Sequence, residues 1–217
     1  ATSSLGISKN DIKSGTYEVL LGIVPISGQI LHNHTLKLSI LPSSPALSGA
    51  EIELIDITNR EYKLREALDP IINRYDYILI DCPPSLSLLT INGLAAARDG
   101  VLIPVQCEYL ALEGLGQLTK TIQRVRTTVF PELKIRGVIL TMYDRRTRLA
   151  VDVVSEIKTY FPDQVFNTII PRSIRIAEAP SYGIPISVHA PESAGAIAYA
   201  SLAKEILEQD EMNTVER

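Results

Sequence analysis

Short runs of β-branched and aliphatic residues that end in turn residues alternate along the chain with longer stretches whose apolar positions recur every three or four residues. This alternation predicts parallel βαβ units, with strands over Leu36–Leu41, Tyr77–Asp81, Val101–Val105, Ile135–Thr141 and Val165–Ile170. Helices are predicted over Arg60–Tyr75, Ser87–Ala97, Tyr109–Val129, Leu149–Phe161 and Ser193–Glu208. In the third helix Leu115, Leu118, Ile122, Val125 and Val129 form one apolar stripe, which suits packing on a sheet or a coiled-coil seam. Tyr-Ile-Leu-Ile (77–80) and Val-Leu-Ile-Pro-Val (101–105) are apolar throughout, the pattern of strands buried on both faces. The expected fold class is α/β: a doubly wound, mostly parallel sheet flanked by helices, in one domain over residues 1–217.

Composition adds limits. The 217 residues, 46% hydrophobic and 21% charged, suffice for a buried core and exclude disordered, collagen-like and disulfide-stapled classes. No apolar stretch approaches the ~18 residues of a membrane-spanning helix. Cys82 and Cys107 both sit in apolar segments, which fits a reducing compartment, so a cytoplasmic location is expected. Charge is uneven: from Lys134 to Arg175 eight Lys or Arg stand against four acids, on a chain whose net charge is -4. Such a segment is either a basic face or ordinary solvated surface.

In open α/β sheets the binding crevice lies at the carboxyl ends of the strands. Four apolar residues ending in Asp81 form the pattern of a Walker B strand, whose carboxylate reaches a nucleotide's Mg2+ through water. A strand closed by a turn-initiating acid has the same pattern. Pro83 and Pro84 stiffen the loop that follows, and Asn92 on the next helix suits a loop that repositions when a phosphate leaves. The matching phosphate loop is not found, because no Gly-Lys dipeptide occurs in the 217 residues. A dinucleotide fingerprint also fails, since Thr119 falls where a third glycine should follow Gly114 and Gly116. His32, His34 and His189 have no metal-ligand spacing, and no serine nucleophile elbow is present.

Four segments together resemble the ParA/Soj chromosome-partitioning ATPases, deviant-Walker P-loop proteins related to MinD. They are Ile-Asp-Cys-Pro-Pro-Ser-Leu (80–86), Pro-Val-Gln-Cys-Glu-Tyr-Leu-Ala-Leu-Glu-Gly (104–114), Thr-Met-Tyr-Asp-Arg-Arg-Thr (141–147) and Ile-Pro-Arg-Ser-Ile-Arg-Ile-Ala-Glu-Ala-Pro-Ser-Tyr-Gly (170–183). The likeness extends to Gly-Ala-Glu-Ile-Glu-Leu (49–54) and Ala-Pro-Glu-Ser-Ala-Gly-Ala-Ile-Ala-Tyr (190–199). The opening Ala-Thr-Ser-Ser-Leu-Gly is similar to the end of the family segment Asp-Pro-Gln-Gly-Asn-Ala-Thr-Ser-x-Leu-Gly. That likeness implies an N-terminally truncated chain: about 40 preceding residues would hold the first strand, the P-loop lysines, and the second strand with its catalytic Asp. The 217-residue chain would then carry no catalytic residue, be inactive alone, and be prone to aggregate through edges left unpaired at Leu36–Leu41 or Tyr77–Asp81.

The resemblance further implies ATP and Mg2+ as cofactors, ATPase activity in the full-length protein, and a role in chromosome or plasmid DNA segregation. An ATP-dependent homodimer would bind nucleoid DNA non-specifically and be released when a ParB-type centromere-binding partner stimulates hydrolysis. Asp81 carries over as the Walker B acid, and Cys82, Pro83, Pro84 and Ser85 as the switch loop. Thr141, Met142, Tyr143, Pro171 and Arg172 match the adenine pocket, and Arg146 and Arg175 match DNA-binding positions, with Arg145 and Arg148 as weaker additions. Two other readings stay open: an ATPase-dead scaffold for DNA or a partner, and a MinD-like positioning ATPase. The second works at membranes, whereas residues 205–217 carry five acids and one Arg, the wrong sign for anionic lipid.

Overall fold

A computed structural model describes the chain apart from residues 84, 86, 109, 216 and 217, and apart from the side chains of 110–113, 115, 117–118 and 213–215. Its contacts cluster in two compact units, residues 1–99 with 121–133, and residues 100–120 with 134–217.

The first unit begins with α1 (Thr16–Leu20), whose start is fixed by Gly15. The Gly15 N–H donates to the Glu18 carboxylate at 2.7 Å, and both the N–H and hydroxyl of Thr16 donate to the Pro42 carbonyl. The predicted strand at Leu36–Leu41 is shorter and runs the other way from expectation. β2 (Leu38–Ile40) pairs antiparallel with β1 (Leu31–Asn33), Leu31 opposite Ile40. A connection this short permits only a hairpin, because a parallel return needs a long crossover. The turn is held by Asn33 Oδ1 accepting from the Leu36 N–H, with Lys37 in the left-handed region at φ 50.

After α2 (Ala50–Glu53), the predicted helix Arg60–Tyr75 is divided. Only α3 (Lys63–Leu68) is α-helical, between 3-10 turns over Arg60–Tyr62 and Asp69–Arg74. Pro70 has no N–H for the next helical bond, so the α-helix stops ahead of it. α4 (Leu88–Ala96) lies close to its expected bounds. Val19 and Leu20 of α1, Leu64 and Leu68 of α3, Ile26, Ile71 and Ala96 form the core of this unit.

The extended segment Tyr77–Asp81 departs from expectation most. Among the described residues it joins no ladder, and only Ile78 and Ile80 pack on the core while Leu79 is 83% exposed. Alternation along an extended chain buries one face when only one side is covered. The residues thus have a strand's periodicity without a strand assignment in the described chain.

The second unit carries the sheet. β3 (Val101–Gln106) and β4 (Ile135–Thr141) run parallel, with Ile103 opposite Val138 and Val105 opposite Leu140. The connection is α5 (Leu110–Thr128), which starts in this unit and ends in the first, to which its buried stripe residues Ile122 and Val125 belong. The start predicted at Tyr109 lies outside the described residues. On the other side of β4 the segment predicted at Val165–Ile170 lies parallel, bridged at Val138 to Val165 and at Tyr143 to Pro171. The helices α6 (Arg148–Tyr160), α7 (Ile174–Glu178), α8 (Ile186–His189) and α9 (Ala194–Val215) flank this parallel sheet, an α/β architecture. Val138, Leu140, Ile157 and Phe166 are fully buried among them.

Glu205 of α9 ties down the irregular third strand by accepting the N–H groups of Asn167 and Thr168 at 2.6 and 2.9 Å. Burial alone would raise its pKa, but these bonds outweigh it and hold the carboxyl below its usual range. Among the described residues no helix is long and apolar enough to cross a membrane.

Candidate functional site

At the carboxyl end of β4 the Thr141 hydroxyl turns back to donate to the Val105 carbonyl at 3.2 Å. Met142 then enters the left-handed region at φ 55, which swings the chain across the end of the sheet. The Tyr143 N–H donates to Ile170 O and the Arg172 N–H to Tyr143 O, clasping two strand ends together. The result is a hollow of about 280 Å³ lined by Tyr143, Asp144, Arg145, Arg146, Pro171 and Arg172. Tyr143, Pro171 and Arg172, predicted from separate segments, therefore meet. Thr141 and Met142 hold and turn the strand end beside the hollow without lining it.

Arg146, expected to contact DNA, lines the same hollow. Its Nε and Nη2 donate to the two carboxylate oxygens of Asp144 at 2.9 and 2.7 Å, and its own N–H adds a third bond at 3.0 Å. Those bonds from Arg146, with the charge of Arg172 contributing, hold the Asp144 carboxyl well below the usual carboxylate range. Any stability this gives is present above the unfolded pKa and is lost as pH falls through the lower folded value. A carboxyl NMR titration is expected to place the Asp144 midpoint below the ordinary value of about 3.9, and Arg146→Gln to raise it part of the way back, since the backbone N–H of residue 146 and the charge of Arg172 remain. An ordinary midpoint in the unsubstituted chain would mean the pair is not made.

The basic segment is less bare than its composition implies. Arg172 pairs with Glu108, Arg175 with Glu178 at 3.2 Å, and Arg136 with Asp210 at 2.5 Å. All three acids lie outside residues 134–175, so no count along that segment registers them. Arg148 is 4.0 Å from Asp152, while Arg145 is exposed.

In the other unit, Asp81 closes the extended segment with its side chain 68% exposed and accepts the Ala1 amino group at 2.6 Å. Cys82 is exposed overall, yet its sulfur leans on Gly93: a Cβ built there would lie 2.4 Å from it. Burial of the sulfur, then the Asp81 charge, pushes the thiol pKa up, which keeps it protonated and unreactive. Thr90 donates to the Ser85 carbonyl at 2.5 Å, anchoring the loop to α4, and Pro83 O lies 3.4 Å from the same hydroxyl. Pro84, the fourth switch residue, lies outside the described residues.

Asn92, read from sequence beside a loop that repositions, is itself a buried joint. It is 1% exposed, and its amide bonds Leu64 N–H, Arg60 O and Leu88 O, locking α4 to the start of α3. Nothing in the sequence marks this role, since an asparagine on a helix reads equally well as solvated.

No group of three or more His, Cys, Asp or Glu among the described residues forms a metal cage. A lone exposed carboxylate such as Asp81 does suit Mg2+, which keeps most of its waters and is commonly held by one or two carboxylates together with phosphates.

Residues 1–135 match a family model described as an AAA domain. The chain is 50% identical over 211 residues to the chromosome partitioning protein ParA of Myxococcus xanthus (strain DK1622), covering 97% of this chain and 74% of that protein. It is 48% identical over 206 residues to the sporulation initiation inhibitor protein Soj of Bacillus subtilis (strain 168), covering 95% and 81% respectively. Among solved structures, cobyrinic acid a,c-diamide synthase from Mycobacterium smegmatis, with bound ATP analog and magnesium, superposes with a TM-score of 0.82 at 36% identity. That match covers 96% of this chain and 77% of the synthase chain.

Proposed function

The chain belongs to the ParA/Soj family of partitioning ATPases related to MinD, and from that premise we propose that it is the nucleotide- and DNA-handling part of an ATP-dependent DNA-segregation device. The observation that supports this most is the clasp of Tyr143 against Pro171 and Arg172 at the carboxyl end of parallel strands. Doubly wound sheets bind nucleotides at that edge. In this reading Tyr143, Pro171 and Arg172 receive the adenine end of ATP, with Thr141 and Met142 fixing the turn. Asp81 holds Mg2+ through water, and the bound ion supplies charge neutralisation on the phosphates. Cys82, Pro83, Pro84 and Ser85 form the loop that senses them.

The nucleotide state controls a homodimer that binds DNA through Arg146 and Arg175 without reading sequence, since arginine contacts to phosphate carry none. A ParB-type partner stimulates hydrolysis and so releases the DNA. Nucleoid association follows from the same contacts. Because Arg146 and Arg175 are already paired with Asp144 and Glu178, phosphate must displace or share those carboxylates.

Two measurements test the reading. The first is an equilibrium titration of Mg-ATP into the 217-residue chain and into the same chain extended at its amino end by the family's preceding segment, with its first strand, Gly-Lys phosphate loop and second strand. Saturable binding that requires the loop supports the proposal, and no binding by the loop-bearing chain overturns it. The second is DNA retention by the loop-bearing dimer. Arg146→Glu or Arg175→Glu is expected to abolish retention while ATP binding survives, because each reverses a phosphate-facing charge. Unchanged retention at low salt in both variants would remove these arginines from the interface.

A further inference from the structure

Arg175 and Glu178 pair one turn apart on α7, through Glu178 Oε2. The same oxygen lies 3.7 Å from His189 Nε2 at the end of α8. The imidazole is stacked on Tyr182, ring centroids 4.8 Å apart and 25° from parallel, and its side chain is 14% exposed. Its Nε2 is buried and makes no hydrogen bond. A buried ring nitrogen without a partner is costly, and an imidazole changes charge close to neutral pH.

The elements packed against α8 are α7, the 3-10 turn Ala179–Tyr182 and α9. They bring Arg175 and Glu178 from α7 and Tyr182 from the turn. Along α9 the charged residues begin only at Lys204, with Glu205 committed to Asn167 and Thr168. Glu192, in the loop between α8 and α9, is exposed. Glu178 is thus the carboxylate placed to meet a protonated His189, and it is the one that balances Arg175.

We propose that His189 sets the pH dependence of anion binding at Arg175 by sharing Glu178 with it. With the imidazole neutral, Arg175 and Glu178 cancel. Taking up a proton from solvent gives the trio a net positive charge, and Glu178 divides between two cations. A DNA phosphate at Arg175 then binds more tightly, and by linkage bound DNA favours the protonated ring. The proposal rests on Arg175 as a DNA contact, and the tests keep the two ideas apart.

The first test needs no DNA. In the 217-residue chain, NMR should show the Arg175 side-chain Nε–H resonance moving with the same midpoint as the His189 ring, and losing that movement in His189→Gln. An Arg175 resonance that stays flat through the His189 transition overturns the proposal. Glu178→Gln, on an exposed carboxylate, should also uncouple the two and guards against a misfolded histidine variant. The second test is retention of the loop-bearing dimer on duplex DNA at fixed ionic strength. Retention should be roughly three- to tenfold tighter on the acid side of the His189 ring transition followed by NMR than on its basic side, the size of one added charge near a partly screened site. His189→Gln should flatten that ratio, and an unflattened ratio counts against the histidine. If Arg175→Glu retains DNA as well as the unsubstituted chain, the DNA contact fails, while the NMR result still decides whether Glu178 is shared.

Discussion

Phe166→Ala is expected to lower the stability of the 217-residue chain by about 3–5 kcal/mol, the usual cost of emptying a large aromatic site in a core. Phe166 is 2% exposed and packs with Ile170 and Leu202, between the irregular third strand and α9. Its ring also lies over Gly137 of β4, where a built Cβ would come within 2.3 Å of a ring carbon. A rigid ring among fully buried neighbours has little room to retreat, so Gly137→Ala should also be destabilising, by about 1–3 kcal/mol. The two changes share one space, and a double-mutant cycle should reveal it: adding Gly137→Ala to Phe166→Ala should cost far less than adding it alone. Urea midpoints with unchanged slopes would measure this. Additive losses would mean that the ring and the glycine are not in contact.

Asn92→Leu is expected to cost about 3 kcal/mol, because it leaves a buried Leu64 N–H and Arg60 carbonyl unpartnered, each worth roughly 1–3 kcal/mol when orphaned. Leucine keeps the branching but is bulkier, so the loss combines the orphaned hydrogen-bonding groups with some overpacking at a 1% exposed site. Asn92→Asp should cost at least as much. It turns a donor aimed at the Arg60 and Leu88 carbonyls into an acceptor and buries a charge. The aspartate variant should in addition regain stability as pH falls, since protonation removes the charge and restores one donor. If both variants unfold within ~0.5 kcal/mol of the unsubstituted chain, the joint between α3 and α4 does not depend on the amide.

The hollow at Tyr143, Pro171 and Arg172 was legible because parallel strands impose a rule: residues just beyond their carboxyl ends gather at one edge of the sheet. The segments 141–143 and 171–172, which the family likeness assigned to one pocket, end neighbouring strands, and Tyr143 does meet Pro171. The pairing of the arginines was not legible. Glu108 reaches Arg172 across 64 residues of chain, and no local pattern announces a contact at that separation. An apolar run states that a segment can be buried, whereas its burial depends on which neighbours the fold supplies.

Periodicity, turn residues and motif order determined the alternation of strands and helices, the α/β class, the family likeness and the residues at the strand ends, because each is a property of neighbours along the chain. Only the tertiary structure decided the hairpin direction at β1 and β2, the buried bracket made by Asn92, the ring over Gly137, and which carboxylate answers which arginine. Those outcomes turn on distances of a few ångströms between residues far apart in sequence, where hydrogen bonds and charge pairs are made or lost.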